Sequence, residues 1–597
     1  MKKNGKYLAP SKRKKGKIFL VLFLCVVCSL AIAAFVAGGR SMSNKEPEPT
    51  TMPTQLQYTE TEQETTQPVQ QEEIVPTEPE HHWETGFVAS WDSDVQVYDE
   101  EGVPLGALLR GAQVEYEPQM YGKTLVRTDE MLGFLQENAA VVSDFAEVIP
   151  DHTLYVRSAV NLRDVEGNPL AALAEKGQPL AVTGFDYLNE DGTVHMFKVA
   201  FENEEGYVMP WYLAEEEAEA LTDYDDGNYA IHADREDLYG GGGAANLDYY
   251  PREKGLIEGN VMPEECRTLY VVAWRLDEID SYIEIADNSG INAFVVDIVD
   301  GYSVGYASDV MKQNCPSAAA AASNTVEAYQ SAIQKIKDAG YYVIGRITTF
   351  NDTYYVSDHP EYAITDPYGA PLKLSGEYWP TPFNRNVWQY KVALAVEAVE
   401  LMGFNEIQFD YVRFPDLTWD YEEAGTIDFH NSYGETKAQA IQRFLMYAAD
   451  TLHEHGAYVS VDVFGECAYN YVTAYGQYWP AISNVVDVIS SMPYPDHFHT
   501  TGTWRPWEHP YDTLYNWGVC AMDRQSETAT PAAVRTWIQA YDAIREPYNT
   551  YGVEEITAQI KGLRDSGCNG GYLTWNAASS IDKYKSLIPA FADPVAE

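Results

Sequence analysis

The stretch Gly403–Pro415, GFNEIQFDYVRFP, decides how the second half of this chain is read. Ile407, Phe409 and Tyr411 alternate as in a buried strand. The same few residues carry Gln408, Asp410 and Arg413. Burying a carboxylate is costly unless it is paired or hydrogen-bonded, so a strand of this kind needs a reason for its polar residues.

On both sides of it, short apolar runs alternate with helix-like segments. The runs are LYVVAWRL, NAFVVDIVD, YYVIGRITTF, EIQFDYVRF, AYVSVDVFG, DVISSMPYP, TWIQAY and GYLTWNA. Between them lie segments such as VWQYKVALAVEAVELMG and KAQAIQRFLMYAADTLHEHG, each ending at Gly as helices often do. Strand–helix alternation implies parallel pairing, and eight units in about 320 residues fit a (β/α)8 TIM barrel. A doubly wound sheet is the structural alternative. It normally opens on a Gly-rich turn, which is missing here.

In such barrels the active site gathers at the C-terminal ends of the strands, and the polar residues sit there. Strand two ends in Asp297 and Asp300, and strand three gives Arg346. Strand four gives Gln408, Asp410 and Arg413, and strand five gives Asp462 with Glu466 just beyond. Strand six supplies Tyr494, Asp496, His497 and His499, strand seven Gln539, and strand eight Trp575 and Asn576. One charged strand end is more often a structural salt bridge than a catalyst. Carboxylates and arginines on most of eight converging strands exceed what a packed barrel needs. The strand ends suit the chemistry implied by the resemblance of this same region to a glycoside hydrolase-like family, carried by INAFVVDIVD, GFNEIQFDYVRFP and further motifs: glycoside hydrolysis uses two carboxyl groups, one protonated and one ionised. Asp410 is the first candidate, as nucleophile or base, with Arg413 expected to hold its pKa down. Asp462, Glu466 and Asp297 compete as its partner. Asp297, Asp300, Arg346, Gln408, Arg413, Tyr494, His497, Gln539, Trp575 and Asn576 are read as substrate-binding. The chemistry requires no cofactor; His497 and His499, two apart on an extended segment, could face one way and bind zinc with Asp496, but no further protein ligand is evident, so no metal is assigned and the pair is read as substrate hydrogen bonding or loop structure.

From about Arg267 to Tyr584 the chain resembles a glycoside hydrolase-like domain of unassigned substrate found in exported proteins of Gram-positive bacteria. The resemblance rests on INAFVVDIVD, VIGRITTFND, GFNEIQFDYVRFP, VSVDVFG, VDVISSMPYPDHF and GYLTWNA, in that order. It implies a barrel related to amylase-like and other retaining glycosidases, and Glu466 is similar to a Glu that follows a Gly at strand five of amylases. SSMPYPDHF departs from the family pattern, which has Pro before the Met and Ser in place of Asp496.

The chain has 597 residues and a formal net charge of −50, which repels nucleic acid. Eight Lys and Arg fall in the first seventeen residues, followed by the uncharged run IFLVLFLCVVCSLAIAAFVA from Ile18 to Ala37. That run is long enough to cross a bilayer, and the basic flank places the N-terminus in the cytoplasm. A cleaved signal peptide, giving a secreted protein, is the competing reading. Ser41–Glu80 is rich in Thr, Glu, Gln and Pro and lacks the apolar content to fold.

DEEGVPLGALLRG from Asp99 recurs as DVEGNPLAALAEKG from Asp164, an offset of sixty-five residues. The second copy resembles a bacterial Src-homology-3-type domain through YVRSAVNLRD, the turn at Lys176–Gly177 and the closing EGYVMPWYL. That resemblance implies attachment to the cell wall, with peptidoglycan as partner. A plain spacer is the alternative.

The expected organisation is a basic cytoplasmic segment over 1–17, a transmembrane anchor over 18–38 and an unfolded linker over 39–82. Src-homology-3-like repeats follow over 83–148 and 149–215, then a linker over 216–264 and the TIM barrel over 265–592. Each repeat is expected to carry its own small core and to fold without the barrel. The function expected is that of an extracellular, membrane-anchored glycosidase acting on a polysaccharide. Its rival is a non-catalytic wall-binding scaffold, in which salt bridges would neutralise the same carboxylates. Deleting residues 1–40 is expected to turn a membrane-bound protein into a soluble, folded one, as followed by cell fractionation. Intact protein in the medium, beginning near Gly38, would instead mark a cleaved signal.

Overall fold

The computed structural model describes residues 81–118, 123–222, 229–301 and 303–592. The expected anchor and the first linker lie outside the described residues. Among the described residues, no helix is long and apolar enough to cross a membrane.

The two repeats fold alike. Each forms a seven-stranded sheet, and the strand order of the first (Glu84–Ala89 through Ala140–Val142) recurs in the second (His152–Val156 through Leu213–Ala214). The sixty-five-residue period of the sequence is therefore a structural period. The first repeat has its own core of Val88, Val95, Val97, Val114, Val126 and Leu135.

From Cys266 onward parallel strands close into a barrel. They are Cys266–Val271, Ala293–Asp300, Tyr342–Thr348, Glu406–Asp410, Tyr458–Phe464, Val488–Met492, Ala533–Gln539 and Gly571–Trp575. Closure depends on the seventh. Its first half, Ala533–Val534, pairs with strand six, and its second half, Thr536–Gln539, pairs with strand eight. Arg535, between the halves, points into the barrel and holds Glu406 with two hydrogen bonds of 2.8 and 3.0 Å. The Tyr342 hydroxyl donates to the same carboxylate at 3.1 Å. The lower barrel core is thus a buried ion pair set among Cys266, Val295, Ile344, Tyr458 and Leu573.

Two expectations are corrected. The stretch read as a linker over 216–264 is, from residue 229 on, a strap packed along and under the barrel. Ala244, Leu247 and Tyr249 are buried against Ala438, Val472, Tyr478 and Ala481. Lys254 donates to the carbonyls of Ser483, Asn484 and Val486. Asn260 donates to those of Asn405 and Gly456, at the N-terminal end of the barrel. The glycine run allows the approach. A Cβ on Gly241 would lie 1.9 Å from the Thr473 carbonyl oxygen, and Gly242 has a φ of +104°.

The second repeat, moreover, is not separate from the barrel, because its buried residues belong to the barrel's own core cluster. Arg163 donates to Asp450 of the barrel helix Lys437–Glu454 at 2.5 Å, and the Tyr212 hydroxyl donates to the same carboxylate at 2.6 Å. Arg385 reaches Asn161 at 3.0 Å. Removing one partner of a buried ion pair leaves the other charge uncompensated. Asp450→Ala should therefore destabilise the barrel and second repeat together by about 3–5 kcal/mol in chemical denaturation. The first repeat should hold its amide-exchange protection when isolated, and the second should lose it.

Candidate active site

The polar half of GFNEIQFDYVRFP points into the mouth of the barrel. In the parallel ladders Asp297, Arg346, Gln408 and Ser460 stand side by side, and Thr348 stands beside Asp410. Asp297 and Asp300, three residues apart, would ordinarily face opposite sides of a strand. The ladder to strand three shifts register between Asp297 and Val299, and the extra residue returns Asp300 to the face of Asp297.

The side chains converge on one buried cation. Arg346 Nη1 lies 2.7 Å from Asp297 Oδ1 and 3.5 Å from Asp300 Oδ1. Its Nη2 lies 2.5 Å from Asp410 Oδ2, and its Nε 3.7 Å from Asp462 Oδ2. Tyr270 donates to Asp297 Oδ2 at 2.5 Å, and Trp537 Nε1 donates to Asp462 Oδ1 at 2.7 Å. Asp410 Oδ1 accepts from the backbone N–H of Tyr411 at 2.6 Å. Tyr411 itself takes a φ of +52°, a conformation that costs a non-glycine residue energy and recurs at functional sites. The cluster reaches solvent at Asp300, whose side chain is 31% exposed.

The charges do not balance as drawn, since four carboxyl groups face one guanidinium. Burial works against the Arg346 charge, but Asp410, Asp297 and Asp300 outweigh it and push its pKa well above the usual value. Burial raises the Asp297 pKa to about 7, against the pull of Arg346. Burial and then the charge of Asp410 push Asp462 well above the ordinary carboxylate range. Asp462 is thus biased toward its protonated form beside Asp410, which accepts from Arg346 and from the Tyr411 N–H. Asp462 Oδ2, Arg346 Nε and Gln408 Oε1 are buried without a hydrogen-bond partner from the chain. Buried polar atoms are normally satisfied, so the centre of the mouth retains hydrogen-bonding capacity for a ligand.

Other sequence candidates lie differently. Arg413 is not the partner of Asp410; Arg346 is. The Arg413 guanidinium donates to the Phe414 carbonyl and to Asp416, and packs among the rings of Trp379, Tyr411 and Phe464. Glu466 is exposed and accepts from the hydroxyls of Tyr471 and Tyr475, 3.0 Å each, with no link to Arg346. Gln408 donates to Ser490 at 3.3 Å. Gln539 and Asn576 are tied into the frame, the first accepting from the Asp496 backbone and the second donating to the Ala540 carbonyl. Asp496 clamps the loop after strand seven by accepting from Tyr541 and from the Ile544 N–H. His497 is largely exposed, with its ring 5.1 Å from that of the buried Tyr494. Trp575 lies 5.4 Å from the Arg346 guanidinium carbon and 4.8 Å from the Tyr270 ring. Among the described residues no group of three His, Cys, Asp or Glu forms a metal site.

Tyr270 and Trp537 went unread in the sequence. Each sits near the end of a quoted strand, but an aromatic there reads equally as packing until its hydroxyl or N–H is seen to point at an aspartate.

A TIM barrel whose mouth gathers paired carboxyl groups of unequal proton affinity has the makings of a glycosidase. The family described as "Putative glycosyl hydrolase domain" matches residues 268–581, just over half of the chain, and the chain belongs to that family. No curated protein matches it. A solved hypothetical protein from Ruminiclostridium thermocellum is 32% identical, covers 33% of this chain and 97% of its own, and superposes with a TM-score of 0.28. The PgaB (BpsB) glycoside hydrolase domain from Bordetella bronchiseptica is 14% identical over 55% of this chain and 99% of its own, with a TM-score of 0.40. A class V chitininase from Pseudomonas fluorescens Pf-5 is 11% identical over 55% and 99%, with a TM-score of 0.35. These superpositions are partial, and the architecture stands on the chain's own strand order.

The raised Asp297 pKa has a consequence for stability. The folded state holds this proton up to about pH 7, whereas an unfolded Asp releases it near 3.8. Between those values the native state binds more protons, so stability falls as pH rises. The contribution is fully present below 3.8 and lost as pH rises through about 7. Asp297→Asn should flatten that fall, measured as denaturation midpoints across the window.

Proposed function

We propose that the barrel is a glycosidase that cleaves a polysaccharide by two-carboxylate catalysis, with Asp410 as the ionised carboxylate and Asp462 as the proton donor. The observation that carries this reading is the unequal environment of the two groups. Asp410 is paired with Arg346 and a backbone N–H, while Asp462 is dry, lies beside Asp410's charge and receives only the Trp537 N–H. Asp462 gives its proton to the glycosidic oxygen as the bond to the anomeric carbon breaks. Asp410 then attacks that carbon itself, or takes a proton from the water that does. Arg346 holds Asp410 in place and limits negative charge in the mouth. Tyr270 and Arg346 hold Asp297, whose pKa, raised by burial to about 7, lets it take up or release a proton near neutrality.

The N-terminal apolar segment is proposed to anchor the protein in the cell membrane, with the repeats and barrel outside. The repeats, read as Src-homology-3-like, would contact or span the wall, and the substrate would be an envelope polysaccharide. The scaffold reading keeps one observation in its favour. Asp410 is locked in a buried ion pair, as a neutralised carboxylate would be. The surplus of carboxyl groups over Arg346 favours catalysis instead.

Asp410→Asn should abolish turnover on a polysaccharide that the native protein cleaves, with near-UV circular dichroism and sugar binding retained. Asp462→Asn should lower kcat by about 10²–10⁴, the usual contribution of a positioned acid. Full activity in the Asp410 variant would leave the scaffold reading standing.

A further inference from the structure

A second cavity lies far along the chain from the mouth residues. It has a volume of roughly 300 Å³ and sits where the second repeat, the strap and the helix Lys437–Glu454 meet. Arg157 and Lys176 come from the repeat, Tyr250 from the strap, and Gln439 and Arg443 from the helix. The Arg157 guanidinium lies over the Tyr250 ring at 4.7 Å, and Lys176 Nζ approaches the same ring at 5.7 Å.

Arg157 has no ion-pair partner among the described residues, and its Nε is buried without a hydrogen bond. In a chain with 90 acidic residues against 40 basic ones, an unpaired arginine at a cavity wall is conspicuous. The charges of Asp248 and, more weakly, Glu219 act on Arg157 without forming an ion pair with it. Asp248 accepts from Ser158 at 2.7 Å, from Arg252 at 3.0 Å and from the Tyr250 N–H at 2.8 Å. Glu175 is exposed and lies 3.7 Å from Arg443, which is itself bound to Glu435 at 2.6 Å. One negative charge would be matched here, and a planar carboxylate suits the fork of an arginine.

The polar helix residues at the cavity, Gln439, Gln442 and Arg443, belong to its first half. In a (β/α)8 barrel the helices run back from the catalytic face, so this half lies on the side of the mouth. We infer that the junction binds a carboxylate-bearing saccharide, as an accessory subsite for an acidic glycan. Resting on the glycosidase reading for its saccharide half, the inference takes its carboxylate half from Arg157 alone. The site exists only with the repeat docked on the barrel, which gives that fused interface a use.

Calorimetric titration of the intact protein with glucuronate, glucose and glutamate tests it. Glucuronate should bind saturably, with glucose and glutamate weaker by about tenfold or more, the loss expected for a missing charge-assisted contact. Arg157→Gln should weaken glucuronate by a similar factor, Arg157→Lys should restore part of it, and Lys176→Gln gives an independent reading should the arginine variants misfold. Asp410→Asn should bind glucuronate as the native protein does, so that loss of glycosidase activity and loss of this site are told apart. The inference is overturned if glucuronate does not bind, if glucose or glutamate binds equally well, if both the Arg157→Gln and Lys176→Gln variants bind unchanged, or if Asp410→Asn abolishes binding.

Discussion

A single guanidinium, that of Arg346, sets the terms for the mouth of this barrel. It is buried on strand three, and carboxyl groups from strands two, four and five lie within 4 Å of its nitrogens. A charge so placed must be matched, and matching it with one carboxylate leaves the others in a dry site where ionisation is costly. The result is a division of labour by environment. Asp410 is held by two donors, while burial and then the charge of Asp410 push Asp462 well above the ordinary carboxylate range. The alternation of one strand and the register shift of another supply the geometry.

A second buried arginine performs a different task. Arg535 sits at the break in strand seven and pairs with Glu406, which also accepts from the Tyr342 hydroxyl. Here the charges are equal in number, and the pair joins strand four to the strand that closes the barrel. The contrast separates structure from chemistry within one lumen. A balanced ion pair low in the barrel joins strands, whereas the cluster at the top holds more carboxyl groups than cations.

The parts outside the barrel are bound to it by the same logic of satisfied polar groups. The strap caps orphan carbonyls through Lys254 and Asn260, and the second repeat brings Arg163 and Tyr212 to one aspartate of a barrel helix. Burial of these groups is tolerable only with the partner present. The second repeat, strap and barrel accordingly behave as one cooperative body, while the first repeat keeps a core of its own.

The sequence by itself determined the repeat, the barrel and the strand ends that carry chemistry. Periodicities of two and 3.6 residues are written locally, and a sixty-five-residue period needs no structure to be seen. Asp297, Asp300, Arg346, Asp410 and Asp462 could be read because polar residues stand out on otherwise apolar strands. Which of them touch was decided only by the tertiary structure. Arg413 is three residues from Asp410 in sequence, yet the turn after strand four sends it among aromatic rings, and Arg346 arrives from the neighbouring strand instead. Glu466 lies only two residues past the strand that carries Asp462, but two tyrosines hold it out of the cluster. The strap was misread because glycine looks the same in a loose linker as in a backbone that must approach another within van der Waals contact. Only the partner at Thr473 tells them apart, and that partner lies more than two hundred residues away in the chain.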